Sequence, residues 1–160
     1  MFGHNRNSGI HTISNYNEAY HAWETTKPIR GRKDDIRPLG HRRCVDQYQI
    51  RKNGDDMECV LYKTPVVTFK TDGRIVIKDD GWKSISTAYY IEEVLGISAS
   101  IFNKELVVGF NHGSYNVPDG GLEVAWVDGR LSPLNPTPIK THSIDRKKTN
   151  IVRARYKNFV

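Results

Sequence analysis

Apolar positions along this chain fall at helical spacing near the start and at strand spacing through the middle. Tyr16, Ala19, Tyr20 and Trp23 stand at i, i+3, i+4 and i+7, one face of a helix, with Asn17, Glu18, His21 and Glu24 opposite. Asn15-Tyr16-Asn17-Glu18 has the form of a capping box, in which the Asn side chain covers a free N–H and the Glu reaches back. A proline drives the residue before it out of the helical region, so Pro28 closes the segment and a helix is predicted over 16–25. Its aromatic face is expected to pack on a sheet, with base stacking by Tyr16, Tyr20 and Trp23 as the functional alternative.

From Val45 the period becomes two. Tyr48/Ile50, Met57/Cys59/Leu61, Val66/Val67/Phe69 and Ile75/Ile77 are short strand-like runs. They are separated by Asn53-Gly54, Thr64-Pro65 and Asp72-Gly73, with Asp79-Asp80-Gly81 after the last. Asp-Gly between alternating runs marks a hairpin, because glycine takes the positive φ of the tight turn. The four runs therefore read as an antiparallel meander. Ser84, Ser86 and Thr87 are candidate N-caps for a short helix over 87–95, with Ala88, Ile91, Val94 and Leu95 on one side and Gly96 as its stop. Strand spacing returns over 98–102, 106–110, 115–117 and 122–127. Residues 132–138 hold three prolines and read as a linker, and Ser143 or Asp145 caps a final helix over 146–160. That helix runs uncapped to Val160, so the natural chain is expected to continue. Residues 1–14 read as loop or frayed end.

The expected architecture is α+β: an antiparallel, meander-like sheet of six to eight short strands over 45–131. It carries a short inserted helix and flanking N- and C-terminal helices. The whole forms one domain, with a helix and basic arm over 1–44, a β-rich core, and a linker and basic helix over 132–160. Composition agrees, since Ile and Val together number 27 against 7 Leu, and β-branched side chains suit a pleated surface. No apolar run approaches the ~18 residues of a membrane span, and Met1-Phe2-Gly3-His4-Asn5 lacks the charged-then-apolar layout of a secretory signal.

Charge changes the picture more. The net +6 is not spread evenly. Residues 27–43 hold seven Lys/Arg and two Asp, and residues 140–160 hold seven Lys/Arg and one Asp. The segment 45–131 between them has nine basic and thirteen acidic residues. Two basic flanks on a mildly acidic body is an argument about partners. Arg30, Arg32, Lys33, Arg37, Arg42 and Arg43 form one candidate track for a phosphate backbone. Arg146, Lys147, Lys148, Arg153, Arg155 and Lys157 form the other. A guanidinium grips phosphate oxygens through paired donors.

Other chemistry is thin. Placing Asn53-Gly54-Asp55-Asp56 at a hairpin tip sets Cys59 opposite Ile50, leaving Cys44 ~20 Å further along at ~3.3 Å per residue. That is too far for a disulfide, so a reducing compartment is expected. The histidines at 4, 11, 21, 41, 112 and 142 are not at ligand spacing, and no metal or cofactor is expected. Asp34-Asp35, Asp55-Asp56 and Asp79-Asp80 resemble metal carboxylates only in being paired, and turn roles explain two of them. Asn111-His112-Gly113-Ser114 sets an imidazole near a hydroxyl without a third group to orient it. No motif names an enzyme, and catalysis ranks third.

Lys27-Pro28-Ile29-Arg30-Gly31-Arg32, Arg37-Pro38-Leu39-Gly40-His41-Arg42-Arg43, Thr64-Pro65-Val66-Val67-Thr68 with Asp72-Gly73, Gly81-Trp82 leading to Ser86-Thr87, and Arg153-Ala154-Arg155-Tyr156-Lys157-Asn158-Phe159 resemble stretches of small, uncharacterised accessory proteins of tailed bacteriophages. The resemblance implies a viral origin and a place in the host bacterial cytoplasm, with the virion as the other location, and a chain that continues past the last helix. It brings no catalytic or binding residues. The leading expectation is a non-enzymatic protein that binds DNA or RNA with weak sequence preference through its basic flanks. The alternative is a module contacting a phage or host protein, as a virion component or an inhibitor of a host factor; no membrane contact is expected. Convergence of the arms on one exposed face would favour nucleic acid. Arginines folded back onto Asp79, Asp80, Glu92 or Glu93 would favour a protein partner or a purely structural role.

Overall fold

The computed structural model describes residues 8–110 and 113–135. Helix α1, Tyr16–Thr25, starts where the capping signal places it. Asn15 Oδ1 accepts the Glu18 N–H at 2.9 Å, and the Glu18 carboxylate accepts from the Ser14 N–H at 3.0 Å and from Asn15 Nδ2 at 3.4 Å. Strands β1 (Ile36–Pro38), β2 (Tyr48–Asn53), β3 (Asp56–Leu61), β4 (Thr64–Phe69) and β5 (Ile75–Ile77) follow. Helix α2 (Ile85–Leu95) comes next, capped by the Ser84 hydroxyl on the Thr87 N–H and stopped by Gly96 at φ 69°. The chain continues through β6 (Ser98–Phe102), β7 (Glu105–Phe110), β8 (Gly113–Asn116), β9 (Leu122–Val127) and β10 (Arg130–Pro133).

The fold is α+β and antiparallel, with two helices, α1 and α2, among the described residues. The expected terminal helix over 146–160 lies outside them. The meander β2–β3–β4–β5 is present, and Ile50 faces Cys59 in the expected register. The single sheet of six to eight strands is corrected. Among the described residues ten strands form two sheets, one ordered β1-β2-β3-β4-β5-β9-β10 and a smaller one ordered β6-β7-β8. Strand β9 pairs with β5, Ile77 opposite Leu122, and α2 and the small sheet are built into the crossover between them.

Three segments expected to be irregular are ordered. Ile36–Pro38 adds to β2 as an edge strand, where a proline without an N–H is tolerated. Part of the expected linker is β10, on the opposite edge. Residues 8–14 dock on α2: Ser8 Oγ donates to Glu93 Oε2 at 2.6 Å, the Ile13 N–H donates to Val94 O at 2.7 Å, and the Ile13 side chain is buried.

Alternation makes the large sheet two-faced. Ile50, Cys59, Val67, Ile77 and Leu122 lie in one cross-strand row, and Met57, Phe69, Ile75 and Val124 in the next. All nine are buried on that face. The other face carries Gln49, Arg51, Glu58, Thr68 and Glu123, with Arg51 Nε on Glu58 Oε1 at 2.6 Å. Tyr90, Ile91 and Val94 of α2 join the core, together with Leu106 and Val108 of the small sheet. Tyr90 stacks on Tyr48 at 5.7 Å and donates its hydroxyl to Val60 O at 3.0 Å, which satisfies the polar atom that burial would otherwise strand. Burial raises the pKa of that phenol well above its ordinary value. Each such large apolar side chain contributes about 1.5–3 kcal/mol by its burial.

Candidate nucleic-acid interface

The first basic track is two loop segments, not one. Residues 27–33 follow α1, and Arg42–Cys44 form a short 3-10 turn before β2. Two side chains tie them together. Arg42 donates from Nη1 to Lys27 O at 2.9 Å and from Nη2 to Pro28 O at 3.2 Å, while Arg32 forms an ion pair with Asp46. A turn with the Arg32 N–H on Ile29 O at 3.1 Å, and Gly31 at φ 86°, folds the first segment back on itself. These bonds hold the two segments that carry Lys27, Arg30, Lys33 and Arg43, all exposed, beside one another. The side chains of Arg30, Lys33 and Arg43 make no hydrogen bond, ion pair or ring contact with any described residue.

Arg37 sits differently from its neighbours in the track. On β1 its side chain turns to the apolar face, and the residue is only 9% exposed. Its guanidinium lies 3.9 Å over the Trp23 ring and donates to Trp23 O at 2.7 Å, Glu24 O at 3.3 Å and Asp34 O at 3.1 Å, with Asp34 Oδ2 at 3.3 Å. Those bonds hold the C-terminal end of α1 against the sheet edge and occupy the donors a phosphate would need. Arg32 and Arg42 are exposed but serve as ties. The second track, Arg146, Lys147, Lys148, Arg153, Arg155 and Lys157, lies outside the described residues.

The aromatic face of α1 packs as the plainer expectation had it. Tyr16 donates its hydroxyl to Asp55 O at 2.8 Å, and Trp23 donates Nε1 to Asp35 O at 2.8 Å. Tyr20 stands between them, 6.2 Å from Tyr16 and 5.8 Å from Trp23, with the Lys52 ammonium near both Tyr20 and Trp23. Half-buried against the core, these rings offer no open platform for a base.

Nor does the first track reach the acidic residues that would have marked a folded-back arm. Asp79 accepts from Gly81 N at 2.9 Å and from Lys83 Nζ at 3.3 Å. Glu92 accepts from Ala99 N at 3.2 Å, and Glu93 takes the Ser8 hydroxyl. Desolvation works against the Lys83 charge, but the hydrogen bonds it donates to Glu105 and Asp79, with the charge of both carboxylates, outweigh it and raise the pKa.

Two clefts flank this region. One, of about 500 Å³, runs between α1 and β1–β2; His11, His21 and Glu18 line its rim, and Ile13, Leu39 and Ile50 its floor. Imidazole and carboxylate in one cleft is the ingredient list for acid–base work. The arrangement does not deliver it, because both Glu18 oxygens serve the α1 cap. No three His, Cys, Asp or Glu side chains among the described residues are placed to hold a metal. The second cleft, of about 380 Å³, lies between the β3–β4 turn and the start of α2, flanked by Tyr62 and Trp82. The sequence reading missed Tyr62, and it named Trp82 only within the Gly81-Trp82 stretch of the phage resemblance. The available signal was a large aromatic inside a turn, away from any alternating run.

Both cysteines are free, as the hairpin register requires. No described helix is long and apolar enough to cross a membrane. No protein-family model, curated protein or solved structure matches the chain.

Proposed function

We propose that this chain is a non-enzymatic, nucleic-acid-binding accessory protein that grips phosphates through the loop surface of residues 27–43. The observation that carries this reading is the tying of two basic segments by Arg42 and Arg32, beside which Arg30, Lys33 and Arg43 stand exposed and unengaged. Cations held on a fixed loop lose less freedom on meeting a polyanion than cations on a loose arm. A contact of cations with phosphates is backbone-directed and has little sequence preference. The basic segment 146–160, read from sequence as a helix, adds the second half of the contact. The phage resemblance supports the host bacterial cytoplasm as its location, with the virion as the other.

The test is retention of a labelled duplex and a labelled single strand at low and moderate salt. Binding is expected to fall steeply with salt, and replacing Arg30, Lys33 and Arg43 together by Ala should flatten the log–log slope on duplex by about 0.9 per lost contact. Salt-insensitive retention, or none at low salt, defeats the reading.

A second reading, contact with a phage or host protein, draws on β10. Among the described residues this edge strand pairs with β9 alone, and Trp126, Val127 and Leu134 beside it are each about half exposed. An edge strand with an apolar flank and no second partner among the described residues is a place where another chain can add a strand.

A further inference from the structure

The cleft at the start of α2 has three properties that together select a ligand. Its walls are aromatic and open: Trp82 is 67% exposed and Tyr62 57%. An isolated exposed aromatic is ordinary, but two flanking one concave site make an apolar patch with a shape.

The rings also stand on fixed backbone. Tyr62 holds φ 57°, a left-handed conformation costly for a bulky residue, and its N–H donates to Gln47 O at 2.7 Å. Trp82 follows Asp80 at φ 49° and Gly81 at φ 85°, and its N–H donates to Asp79 O at 2.8 Å. Such a platform is preorganised.

The polar lining is hydroxyl-rich, and its charge is one-sided. Lys63 contributes an ammonium, and Thr64, Ser84, Ser86 and Thr87 contribute hydroxyls, those of Ser84 and Thr87 bonded to each other at 3.0 Å; among the described residues no carboxylate or carboxamide side chain lines the cleft. Lys63 is exposed and has no partner among the described residues. The first turn of α2 carries no acidic side chain, so the partial positive charge of its N–H groups is not offset. A sugar or a cation calls for carboxylate and amide acceptors. A flat ring joined to an anion fits the groups that are present. The size agrees, since ~300–1,000 Å³ is the usual range of small-molecule clefts and this one is at the lower end.

The cleft also adjoins the basic loop. The Val45 N–H donates to Arg42 O, the Gln47 N–H to Cys44 O, and the Tyr62 N–H to Gln47 O. The 3-10 turn carrying Arg43 is thus linked through the start of β2 to the turn carrying Tyr62 and Lys63, at one end of the sheet.

We propose that this cleft takes one unpaired nucleotide of a bound strand, the base against Trp82 and Tyr62 and a neighbouring phosphate on Lys63. This rests on the nucleic-acid reading above and deepens it, because a stacking site gives single strands an advantage that phosphate contacts alone do not. Duplex DNA keeps its bases stacked on one another and cannot use the cleft.

Fluorescence anisotropy on three probes tests it: a short single-stranded oligonucleotide, the same length of abasic sugar-phosphate, and the matching duplex. Trp82→Ala is expected to weaken single-strand binding about 5- to 100-fold, the range of one lost base–aromatic stack. Abasic strand and duplex should change less than about twofold, since they use phosphate contacts alone. Tyr62→Ala should act in the same direction, and circular dichroism of both variants should match the parent. Lys63→Ala should weaken both single-stranded probes alike. If Trp82→Ala leaves the single strand unaffected, or lowers all three probes equally, the stacking site is wrong while phosphate binding stands. If the parent protein retains no probe at low salt, the nucleic-acid reading fails and the stacking site falls with it.

Discussion

On α1, Tyr16, Tyr20 and Trp23 stand beside Arg37 and Lys52; at the start of α2, Trp82 and Tyr62 stand beside Lys63. In residue type the two groups are nearly interchangeable. They differ in what has already been used. On α1 the indole N–H is on Asp35 O, the Tyr16 hydroxyl is on Asp55 O, and the guanidinium over Trp23 spends its donors on four oxygens of the same chain. At the α2 cleft the rings are open, and the lysine has no described partner. Aromatics beside cations hold a fold together when their polar atoms find partners within it, and they await a ligand when those atoms do not. The same distinction divides the basic track: Arg37 is a structural rivet, Arg32 and Arg42 are ties, and Arg30, Lys33 and Arg43 remain available.

The tryptophans give the strongest way to break this comparison. Trp23→Ala removes a half-buried ring, its hydrogen bond and the surface under Arg37, and should cost about 3 kcal/mol by urea denaturation. Trp82→Ala should stay within about 0.5 kcal/mol, as an exposed substitution. Equal losses would mean that Trp82 is packed as Trp23 is, and would end its role as an open platform.

The arginines sharpen the point at a smaller scale. Arg37→Lys keeps the charge but gives up the planar fork, leaving carbonyls at the end of α1 short of donors, and should cost about 2 kcal/mol. Arg43→Ala should again fall within about 0.5 kcal/mol while weakening polyanion retention. A reversed order in the melting temperatures would put the loop surface to structural use.

The cysteines extend the contrast to pH. Cys59 is fully buried, and burial pushes its thiol pKa well above the usual 9.0, with the Glu58 charge adding to the effect. The folded state therefore keeps its proton where the unfolded chain loses it. That share of stability is complete below pH 9.0 and declines as the pH rises from there toward the raised folded value, by at most about 1.4 kcal/mol per unit. Cys59→Ala should flatten this alkaline slope in denaturation curves taken from pH 8 to 11. At pH 8 a thiol reagent should modify half-exposed Cys44 and spare Cys59 until the protein unfolds.

Local features were legible because their causes are local. Asn15 and Glu18 are three residues apart, Asp72-Gly73 and Asn53-Gly54 close hairpins by their own φ preferences, and Ser84 and Gly96 bracket α2 from either end. Once Asn53-Gly54 is placed at a tip, alternation forces Ile50 opposite Cys59. The role of Arg37 had no such signal. Arg37 reads as one more cation in a basic stretch until β1 pairs with β2 and Trp23 arrives beneath it.

The sequence by itself determined α1 and α2, the hairpins, the meander and the separation of charge, since each follows from neighbours within a few residues. Tertiary structure alone decided that Leu122 returns to Ile77 across forty-five residues, that the strands divide into two sheets, and which cations keep free donors. Those outcomes depend on where surfaces meet after the chain has crossed α2 and the small sheet, and local propensity carries no record of such meetings.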